Sequence, residues 1–374
     1  RRNDMKTLGI IFSNIHERDI PELTKVRTLA SVPFGGRYRL IDFVLSGMVN
    51  SGITNVGIIT KYNYQSLMDH VQSGKNWDLS RKNGGLTILP PFSDEAGGGV
   101  FNSRFEAIKS VASYIRHNDA DYVVMADCDI VCNLDFAPAL VEHAKNEADI
   151  TMFYREKDVS KTDRERLIVE TDKTGRVVKT CRIEGAKGVH KVYTDFMIIN
   201  RRLLLYILDH SVQWGISSFS RDILCNTKEY KIYGYKLDGY CVAVNSLADY
   251  YKHSMELLDA DVVRELFYKG GAGIYTKVRD SVPAKFTDTA RVTNSMIADG
   301  CLIEGEVTDS IIFRGCHIAK GAKVTKSIIM QDSVVDSGAT LNCVIMDKDA
   351  HVLDGRMLSG HPTHPYYIEK EGTI

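Results

Sequence analysis

A six-residue apolar rhythm near the end of the chain restricts the fold more than any other sequence feature. Within single coils, apolar residues lie six positions apart at Ile297 and Ile303, at Ile312, Ile318 and Val324, and at Ile329, Val335 and Leu341. An α-helix would repeat every 3.6 residues and a flat strand every two. A coil of about 17 residues with three short strands is typical of a left-handed parallel β-helix. The pattern predicts this fold, with a β-sandwich as the alternative.

The first two-thirds of the chain alternates between predicted strands and helices. We predict strands at Thr7–Phe12, Val56–Thr60, Tyr122–Met125 and Ile150–Tyr154, and helices at Asp42–Asn50, Tyr64–Val71, Arg104–His117 and Phe136–Asn146. Such alternation is typical of a Rossmann-like α/β domain, in which helices cover both faces of a mostly parallel sheet. Ligands bind at the carboxyl ends of such strands, so we expect a site just after Phe12 and Met125.

The domain boundaries are predicted where this alternation stops. The turn Asp172–Gly175 indicates a hairpin between Leu167–Glu170 and Arg176–Ile183. A glycine-rich stretch that ends near Pro283 indicates a linker. We therefore predict an α/β domain over residues 1–275, a linker over 276–288, and a β-helix with a C-terminal tail over 289–374.

Composition disfavours several classes of partner. The 47 lysine and arginine residues are balanced by 48 aspartate and glutamate residues, whereas nucleic acids and anionic membranes attract a basic surplus. The eight cysteines include no Cys-x-x-Cys pair, so we expect free thiols rather than a zinc site or disulfides. No apolar stretch approaches the ~20 residues of a membrane span. These features predict a cytoplasmic protein.

Residues 31–43 form a long motif that reads Ser-Val-Pro-Phe-Gly-Gly-Arg-Tyr-Arg-Leu-Ile-Asp-Phe. It resembles the ADP-glucose pyrophosphorylase (glucose-1-phosphate adenylyltransferase) family, closest to the GlgD-type subunit of glycogen biosynthesis, and the similarity covers nearly the whole chain. The resemblance implies a nucleotidyltransferase domain followed by a β-helix. It also implies the family's reaction, in which ATP and glucose 1-phosphate give ADP-glucose and pyrophosphate.

The positions that bind phosphate in this family are altered. The active family has a Gly-Gly-x-Gly-x-Arg loop after its first strand, because backbone N–H groups must approach the nucleotide phosphates closely. Here residues 14–19 read Asn-Ile-His-Glu-Arg-Asp, so Asp19 replaces the arginine and Glu17 adds negative charge. The family's phosphate lysine corresponds to Leu29, whereas Arg27 is retained. We expect weak triphosphate binding.

The positions of the family's metal ligands are altered as well. The first metal aspartate corresponds to Asp129, which Asp127 could assist. The second corresponds to Ala243, which offers no oxygen to Mg²⁺. No catalytic residue is assigned with these changes, and Asp129 and Arg27 are interpreted as vestigial. We expect Mg²⁺ as a cofactor only if some nucleotide binding remains.

The nucleotide and sugar-phosphate motifs also depart from the family. The adenine-side motif reads Ser-Arg-Phe-Glu-Ala over residues 103–107, and the bulky Arg104 and Phe105 are expected to fill the pocket. The Glu-Lys-Pro motif of the sugar-phosphate site is only weakly present at residues 183–185, where Lys187 or Lys191 could replace its lysine.

Three arginines surround the Phe34-Gly35-Gly36 turn, although the catalytic motifs of the family are altered. They are Arg27, Arg37 and Arg39. One hypothesis is that they are solvated or line a subunit interface. The other is that they bind an anionic effector, such as a sugar phosphate or a nucleotide.

The combined departures predict a non-catalytic or weakly active subunit that modulates a catalytic ADP-glucose pyrophosphorylase subunit. Four losses of transition-state binding, each about 1–4 kcal/mol, oppose efficient turnover. We expect a homo-oligomer alone and a hetero-oligomer with the catalytic partner, assembled through the β-helix. The alternative is a slow but genuine glucose-1-phosphate adenylyltransferase that acts alone.

A third hypothesis is a β-helix acyltransferase or a bare sugar-phosphate-binding module. An acyltransferase needs a catalytic histidine in the β-helix, where His317 and His351 are the candidates, although a surface histidine is the simpler interpretation of each. His361 and His364 in the tail are too poorly framed by other ligands to indicate a metal site.

Overall fold

The computed structural model describes residues 5–91, 101, 103–159, 167–182 and 186–374. The chain divides into two compact units, one of Arg1–Ile15 and Phe43–Cys241 and the other of His16–Asp42 and Val242–Ile374. Each unit therefore combines two separate stretches of sequence. The domain limits predicted from the sequence at residues 275 and 289 stay a prediction.

The secondary structure follows in chain order. The α-helices are α1 (Pro21–Thr24), α2 (Leu40–Asn50), α3 (Gln65–Val71), α4 (Arg104–Ser110), α5 (Ala112–Arg116), α6 (Ala137–Lys145), α7 (Arg201–His210), α8 (Leu247–Met255) and α9 (Ala260–Phe267). The strands of the first two-thirds are β1 (Thr7–Phe12), β2 (Pro33–Phe34), β3 (Tyr38–Arg39), β4 (Asn55–Ile59), β5 (Gly85–Leu89), β6 (Tyr122–Asp127), β7 (Ile130–Cys132), β8 (Ile150–Val159), β9 (Leu167–Thr171), β10 (Val177–Arg182), β11 (Gly188–Asn200), β12 (Ile232–Lys236) and β13 (Cys241–Ala243). The later strands are β14 (Lys285–Phe286), β15 (Arg291–Thr293), β16 (Met296–Ile297), β17 (Leu302–Ile303), β18 (Glu306–Thr308), β19 (Ile311–Ile312), β20 (His317–Ile318), β21 (Lys323–Thr325), β22 (Ile328–Ile329), β23 (Val334–Val335), β24 (Thr340–Asn342), β25 (Val344–Met346), β26 (His351–Val352), β27 (Met357–Ser359) and β28 (Tyr366–Ile368).

The first unit is built on one mixed sheet. Its strands run in the order β10-β9-β11-β6-β1-β4-β5, and β8 pairs with both β11 and β12. β1 is parallel to β4 and β6, whereas β11 is antiparallel to β6. Five consecutive residues of β1 are buried, as expected of a strand covered on both faces. The predicted Rossmann-like α/β domain is confirmed, with an antiparallel extension.

The predicted single helix over Arg104–His117 is wrong, because two helices, α4 and α5, occupy this segment. At Val111 the dihedral angles φ −106° and ψ 15° leave the helical region. The Val111 side chain is buried in the core of the first unit. The helix is therefore interrupted at a β-branched residue whose side chain packs into the core.

The second unit contains the β-helix. Three parallel sheets follow the orders β14-β17-β20-β23-β26, β15-β18-β21-β24-β27 and β16-β19-β22-β25-β28. The register places Val307 beside Val324 and Ile312 beside Ile329, and these side chains belong to one buried apolar core. The six-residue rhythm is therefore the inward-facing column of this core, and the predicted left-handed parallel β-helix is confirmed.

Corners of the β-helix recur at equivalent positions of successive coils. Asn294, Asp309, Lys326 and Cys343 all have left-handed backbones, with φ between 43° and 53°. A non-glycine residue in this region is uncommon. Its repetition at one position of each coil indicates that the stacking of the coils imposes it.

The cysteines are free thiols, as predicted from their spacing. Five of them are buried, namely Cys128, Cys132, Cys301, Cys316 and Cys343. Within the described part of the chain, no helix combines the length and the apolar character that crossing a bilayer requires.

Candidate functional site

The candidate site of the first unit lies at the carboxyl end of β6. Asp127 is the last residue of this strand, and Asp129 lies in the short turn that leads to β7. Asp127 is paired with Phe12, the last residue of β1. Both aspartates are buried. These carboxylates thus lie where the sequence predicts a site, while a role of Asp129 in metal binding stays a prediction.

Arg104, the first residue of α4, connects two carboxylates. Its Nη2 donates a hydrogen bond to Asp127 Oδ2, and its Nη1 donates to Asp195 Oδ1 at 3.0 Å. The exposed side-chain fractions of Arg104, Asp127 and Asp195 are 10%, 1% and 14%. The start of α4 is held by Ser103, whose Oγ accepts a hydrogen bond from the Glu106 N–H at 3.1 Å. The start of α4 therefore fixes the position from which the Arg104 side chain extends.

This guanidinium stays charged under all ordinary conditions. Burial would lower the pKa of Arg104, but the charges of Asp127 and Asp195 outweigh this effect and hold the pKa well above its usual value. The group also lies over the Phe12 ring, at 5.6 Å from its centroid, within the range of a cation–π interaction. The positive charge of Arg104 thus partly balances the negative charges of Asp127 and Asp195.

The third member of this network, Asp195, has an unusual backbone. It lies in β11 with φ 64°, in the left-handed region that costs a non-glycine residue roughly 1–2 kcal/mol. The register between β11 and β8 shifts between Tyr193 and Met197, so Asp195 lies in a β-bulge, a feature that redirects a side chain. The bulge directs the Asp195 carboxylate toward Arg104.

The carboxylates of the first unit do not fit the magnesium site that the family resemblance implies. Oxygens of Asp127 and Asp195 lie within 4.8 Å of each other, but the Arg104 guanidinium donates to both carboxylates. In the second unit, the position of the second metal ligand is Ala243, a buried methyl group in β13. A cation at the carboxylate pair would have to displace an arginine that the same pair binds.

The segment that replaces the glycine loop has a regular conformation of its own. Residues Glu17–Asp19 form a 3₁₀-helix, and the Glu17 carbonyl accepts a hydrogen bond from Thr24 Oγ1 at 2.8 Å. None of residues 13–20 has a positive φ. The His16 Nδ1 lies 3.4 Å from Asp19 Oδ2. In these residues the backbone lacks the left-handed geometry by which a glycine-rich loop approaches phosphate.

Two apolar side chains stand where the family has polar or small residues. Leu29 lies in a 3₁₀-helix, Leu29–Ser31, and is buried. Phe105 packs against Phe219, with ring centroids 5.2 Å apart, inside the core of the first unit. Phe105 thus belongs to the core, and Arg104 alone points to the carboxylates.

The second unit holds a separate cluster of basic groups. Arg27 is only 2% exposed, and its Nη1 lies 2.9 Å from Asp347 Oδ1. Asp347 is buried as well, and its Oδ2 accepts a hydrogen bond from the Tyr367 hydroxyl at 2.9 Å. Arg27 Nη2 lacks a hydrogen-bond acceptor among the described residues. One buried carboxylate therefore balances Arg27, and one guanidinium nitrogen remains available.

Lys348, next to Asp347, extends this cluster. The pKa of the Lys348 amine is lowered to about 6, mainly by burial and then by the nearby charges of Arg39, Arg27 and Arg279, while Asp347 opposes them. The lowered pKa reflects burial of the Lys348 amine among several positive charges. Arg39 is buried, whereas Arg37 is exposed and lies over the Tyr38 ring. Of the three predicted arginines, Arg27 and Arg39 therefore belong to the cluster and Arg37 does not.

The histidines of the β-helix and its tail have simple partners. His317 Nε2 lies 2.8 Å from Glu304 Oε2, and His351 Nε2 lies 2.7 Å from Asp336 Oδ2. The tail histidines His361 and His364 contact the Thr363 hydroxyl, each at 2.9 Å. Each histidine thus has a local structural role.

The predicted sugar-phosphate lysines are only partly described. Residues 183–185, which carry the weak motif, lie outside the described residues. Lys191 Nζ donates to Thr171 Oγ1 at 2.6 Å and lies 5.2 Å from the centroid of the Tyr154 ring. Its role in binding a sugar phosphate stays a prediction.

Sequence reasoning missed Asp195 and Lys348. Asp195 lies in the middle of a long strand without a recognisable motif, and only the bulge brings it to Arg104. Lys348 follows a β-helix strand and looks like one of many surface lysines. The Asp-Lys-Asp run at residues 347–349 was the one available signal, because it interrupts the apolar pattern.

Comparisons with known proteins cover both parts of the chain. A nucleotidyl transferase family model matches residues 20–180, and a GlmU-like C-terminal hexapeptide model matches residues 282–364. The chain is 32% identical over 363 residues to the glycogen biosynthesis protein GlgD of Bacillus subtilis (strain 168), covering 97% of this chain and 95% of that protein. It is 38% identical over 347 residues to GlgD of Geobacillus stearothermophilus, covering 85% and 83%. A glucose-1-phosphate adenylyltransferase of Bacillus cytotoxicus is 29% identical over 343 residues, covering 90% of each chain.

Proposed function

Because the chain belongs to the glucose-1-phosphate adenylyltransferase and GlgD family of glycogen biosynthesis, we propose that it is a non-catalytic or weakly active subunit. In this proposal it modulates a catalytic partner that converts ATP and glucose 1-phosphate to ADP-glucose and pyrophosphate. Glycogen biosynthesis is the pathway of its relatives, and the modulating role is the hypothesis.

The observation that carries the proposal is the position of Arg104. Nucleotidyl transfer uses a divalent cation, held by one or two carboxylates, to neutralise phosphate charge. Here the guanidinium of Arg104 binds Asp127 and Asp195 at the end of the central strand. The Arg104 guanidinium is part of a side chain of the protein. Unlike a free cation, it cannot enter the site bound to a nucleotide. This argues against a cation–nucleotide complex at these carboxylates.

Other differences point in the same direction. The 3₁₀-helix at Glu17–Asp19 lacks the glycine backbone, and Leu29 lacks the amine that would contact phosphate. Removal of one preorganised donor to a developing negative charge typically costs about 10²–10³ in rate. Several such losses in one chain favour a modulating role over independent catalysis.

We further propose that the basic cluster of the second unit binds an anionic effector. Arg27 pairs with Asp347, and the charges of Arg27 and Arg39 both act on Lys348. Guanidinium groups bind phosphate through paired hydrogen bonds. A sugar phosphate or a nucleotide would add negative charge beside these groups and allow Lys348 to take up a proton.

Assembly and location complete the proposal. Among the described residues, β14, β15 and β16 of the first coil are edge strands of the three β-helix sheets, and such edges favour pairing with another chain. We infer homo-oligomers alone and hetero-oligomers with the catalytic subunit. Eight free cysteines suit a cytoplasmic location.

The test compares three samples in the same assay of ADP-glucose formation: the purified chain alone, the catalytic partner alone, and their mixture. Each is measured with and without sugar phosphates. We expect no turnover by the chain alone, and a mixture whose rate or effector response differs from that of the partner. Turnover of about 1–10³ per second by the chain alone would support the alternative, an independent adenylyltransferase. A mixture indistinguishable from the partner would contradict modulation.

A further inference from the structure

An exposed group of three aromatic rings lies at the end of α7. Tyr206 and His210 belong to the helix, and Trp214 follows in the next turn. The His210 and Trp214 rings are stacked, with centroids 4.9 Å apart and an angle of 19° between their planes. Tyr206 contacts both, at 4.4 Å from His210 and 5.3 Å from Trp214. We call these three residues the α7 aromatic cluster.

The cluster is exposed although it is apolar. Trp214 is 42% exposed and Tyr206 is 52% exposed, whereas the other tryptophan of the chain, Trp77, is 1% exposed. Neighbouring Val212 is also exposed. Large aromatic surfaces are normally withdrawn from water, and grouped exposed aromatic residues mark an interaction site.

The rings are held in place before any ligand arrives. The Trp214 N–H donates to the His210 carbonyl at 3.0 Å, and the Ile216 N–H donates to the Ser211 carbonyl at 2.8 Å. His210 Nδ1 is 2.9 Å from the Tyr206 carbonyl. A ligand that stacks on these rings therefore pays little ordering entropy, which is the usual benefit of a preorganised site.

Polar and charged residues flank the cluster in sequence, and Arg202 is exposed one helical turn before Tyr206. Asp209 pairs with Arg116, and both side chains are about half exposed, at 52% and 49%. Gln213 is exposed between Val212 and Trp214. Exposed aromatic rings with hydrogen-bonding groups of both charges nearby in the chain suit a neutral ligand that has both apolar C–H faces and many hydroxyl groups. A polyphosphate or nucleic acid would call for a basic surplus instead.

We propose that the α7 aromatic cluster binds an α-linked glucose oligosaccharide, the chemical class of the outer chains of glycogen. The flat C–H face of a glucose unit would stack on Trp214 or Tyr206, and its hydroxyl groups would reach Gln213, Asp209 or Arg116. The choice of an α-glucan among neutral oligosaccharides rests on the proposed role in glycogen biosynthesis. Such a site would hold the subunit near the polymer that its pathway builds.

The test measures binding of maltoheptaose to the purified full-length chain, without the catalytic partner. Because Trp77 is buried and Trp214 is exposed, acrylamide quenching reports mainly on Trp214. We expect saturable protection of this fluorescence by maltoheptaose and retarded migration of the protein in gels that contain glycogen. Cellohexaose, with β-linked glucose, should protect less.

Three variants check the residues. Trp214→Ala should weaken retention by glycogen at least about tenfold, equivalent to about 1.4 kcal/mol, and Trp214→Phe should recover part of it. Tyr268→Ala, which removes an exposed tyrosine outside the cluster, is the matched control and should leave retention unchanged. Circular dichroism verifies that each variant is folded.

Two results would overturn the proposal. One is the absence of saturable maltoheptaose binding, or equal glycogen retention by the wild-type chain and Trp214→Ala. The other is a wild-type chain whose self-association is lost in Trp214→Ala while glycogen retention persists, since the cluster would then be a protein interface. Neither result bears on modulation of the catalytic partner, which the assay of ADP-glucose formation tests separately.

Discussion

Replacement of Arg104 by alanine probes the ion-pair network of the first unit. The change removes the guanidinium that lies between Asp127 and Asp195 and leaves two carboxylates with oxygens within 4.8 Å of each other. Asp127 is buried almost completely. Removal of one partner of a buried ion pair typically costs about 3–5 kcal/mol, because an uncompensated charge remains. We expect Arg104→Ala to lower the free energy of unfolding by that amount at pH 7.

The loss should depend on pH in a defined direction. Without Arg104, repulsion between the carboxylates and burial would raise the folded-state pKa of one of them above its unfolded value of about 4. A carboxyl group whose pKa is higher in the folded than in the unfolded state does not lower the free energy of unfolding below its unfolded pKa. It lowers that free energy as the pH rises through its folded pKa. The difference between Arg104→Ala and the wild-type chain should therefore be small near pH 4 and largest at neutral pH and above.

Urea denaturation between pH 4 and pH 8 measures these differences. The matched control is the triple variant Arg104→Met, Asp127→Asn and Asp195→Asn, which removes the charges together. Replacement of a whole buried ion network by uncharged groups is often neutral, so the triple variant should be more stable than Arg104→Ala at pH 7. A loss below about 1 kcal/mol in Arg104→Ala, or a triple variant that is equally destabilised at pH 7, would refute the network as described.

Three further predictions concern the second unit. Because an anion should raise the pKa of Lys348 from about 6, binding of a sugar phosphate should take up a proton and weaken as the pH rises above 6. Calorimetry in buffers of different ionisation enthalpy measures this uptake, which Lys348→Gln should abolish. Arg39→Ala should weaken the effector response of the mixed enzyme at least tenfold, while the matched control Arg37→Ala leaves it within twofold; equal effects would contradict the cluster. Asp347→Asn should destabilise the chain by about 3–5 kcal/mol in urea, because Arg27 is buried beside it, and an unchanged midpoint would contradict that pairing.

Much of the fold could be predicted because its patterns are local. The apolar column that contains Ile312 and Ile329 is set by the coil period, and the structure pairs these residues in neighbouring strands. The strand Thr7–Phe12 is an uninterrupted apolar run and has the predicted limits. Such signals depend only on residues a few positions apart. The break at Val111 was not predictable in this way, because it depends on how that side chain packs in the core.

The allocation of sequence to the two units was not predictable either. Residues 16–42 precede most of the α/β unit in sequence, yet they belong with residues 242–374. One link among several is the contact of Arg27 with Asp347, which are 320 positions apart along the chain. A charged pair of this kind leaves no periodic pattern. Composition and spacing therefore indicate two kinds of fold without indicating that an early segment joins the later one.

The candidate site could be predicted from the sequence only in part. The change of each family position could be recognised one residue at a time, and each could then be counted as a separate loss. The contacts show that some of these changes are not separate. Arg104 would be unfavourable in a buried position without carboxylates, and Asp127 and Asp195 would repel each other without Arg104.

This dependence changes how a repair of the site should be judged. A single change of Arg104 to a small residue would expose two carboxylates, yet it would leave Leu29 without an amine and Ala243 without a carboxylate. Residues that act as a unit have non-additive effects. Adding the four losses as if they were independent therefore overstates the transition-state binding that the substitutions remove together. The three charged residues therefore act as one element, in which Asp127 at the end of the central strand and Asp195 in the bulge of β11 both bind the Arg104 side chain. The charge balance of this element comes from residues of the chain itself, which agrees with the proposed non-catalytic role.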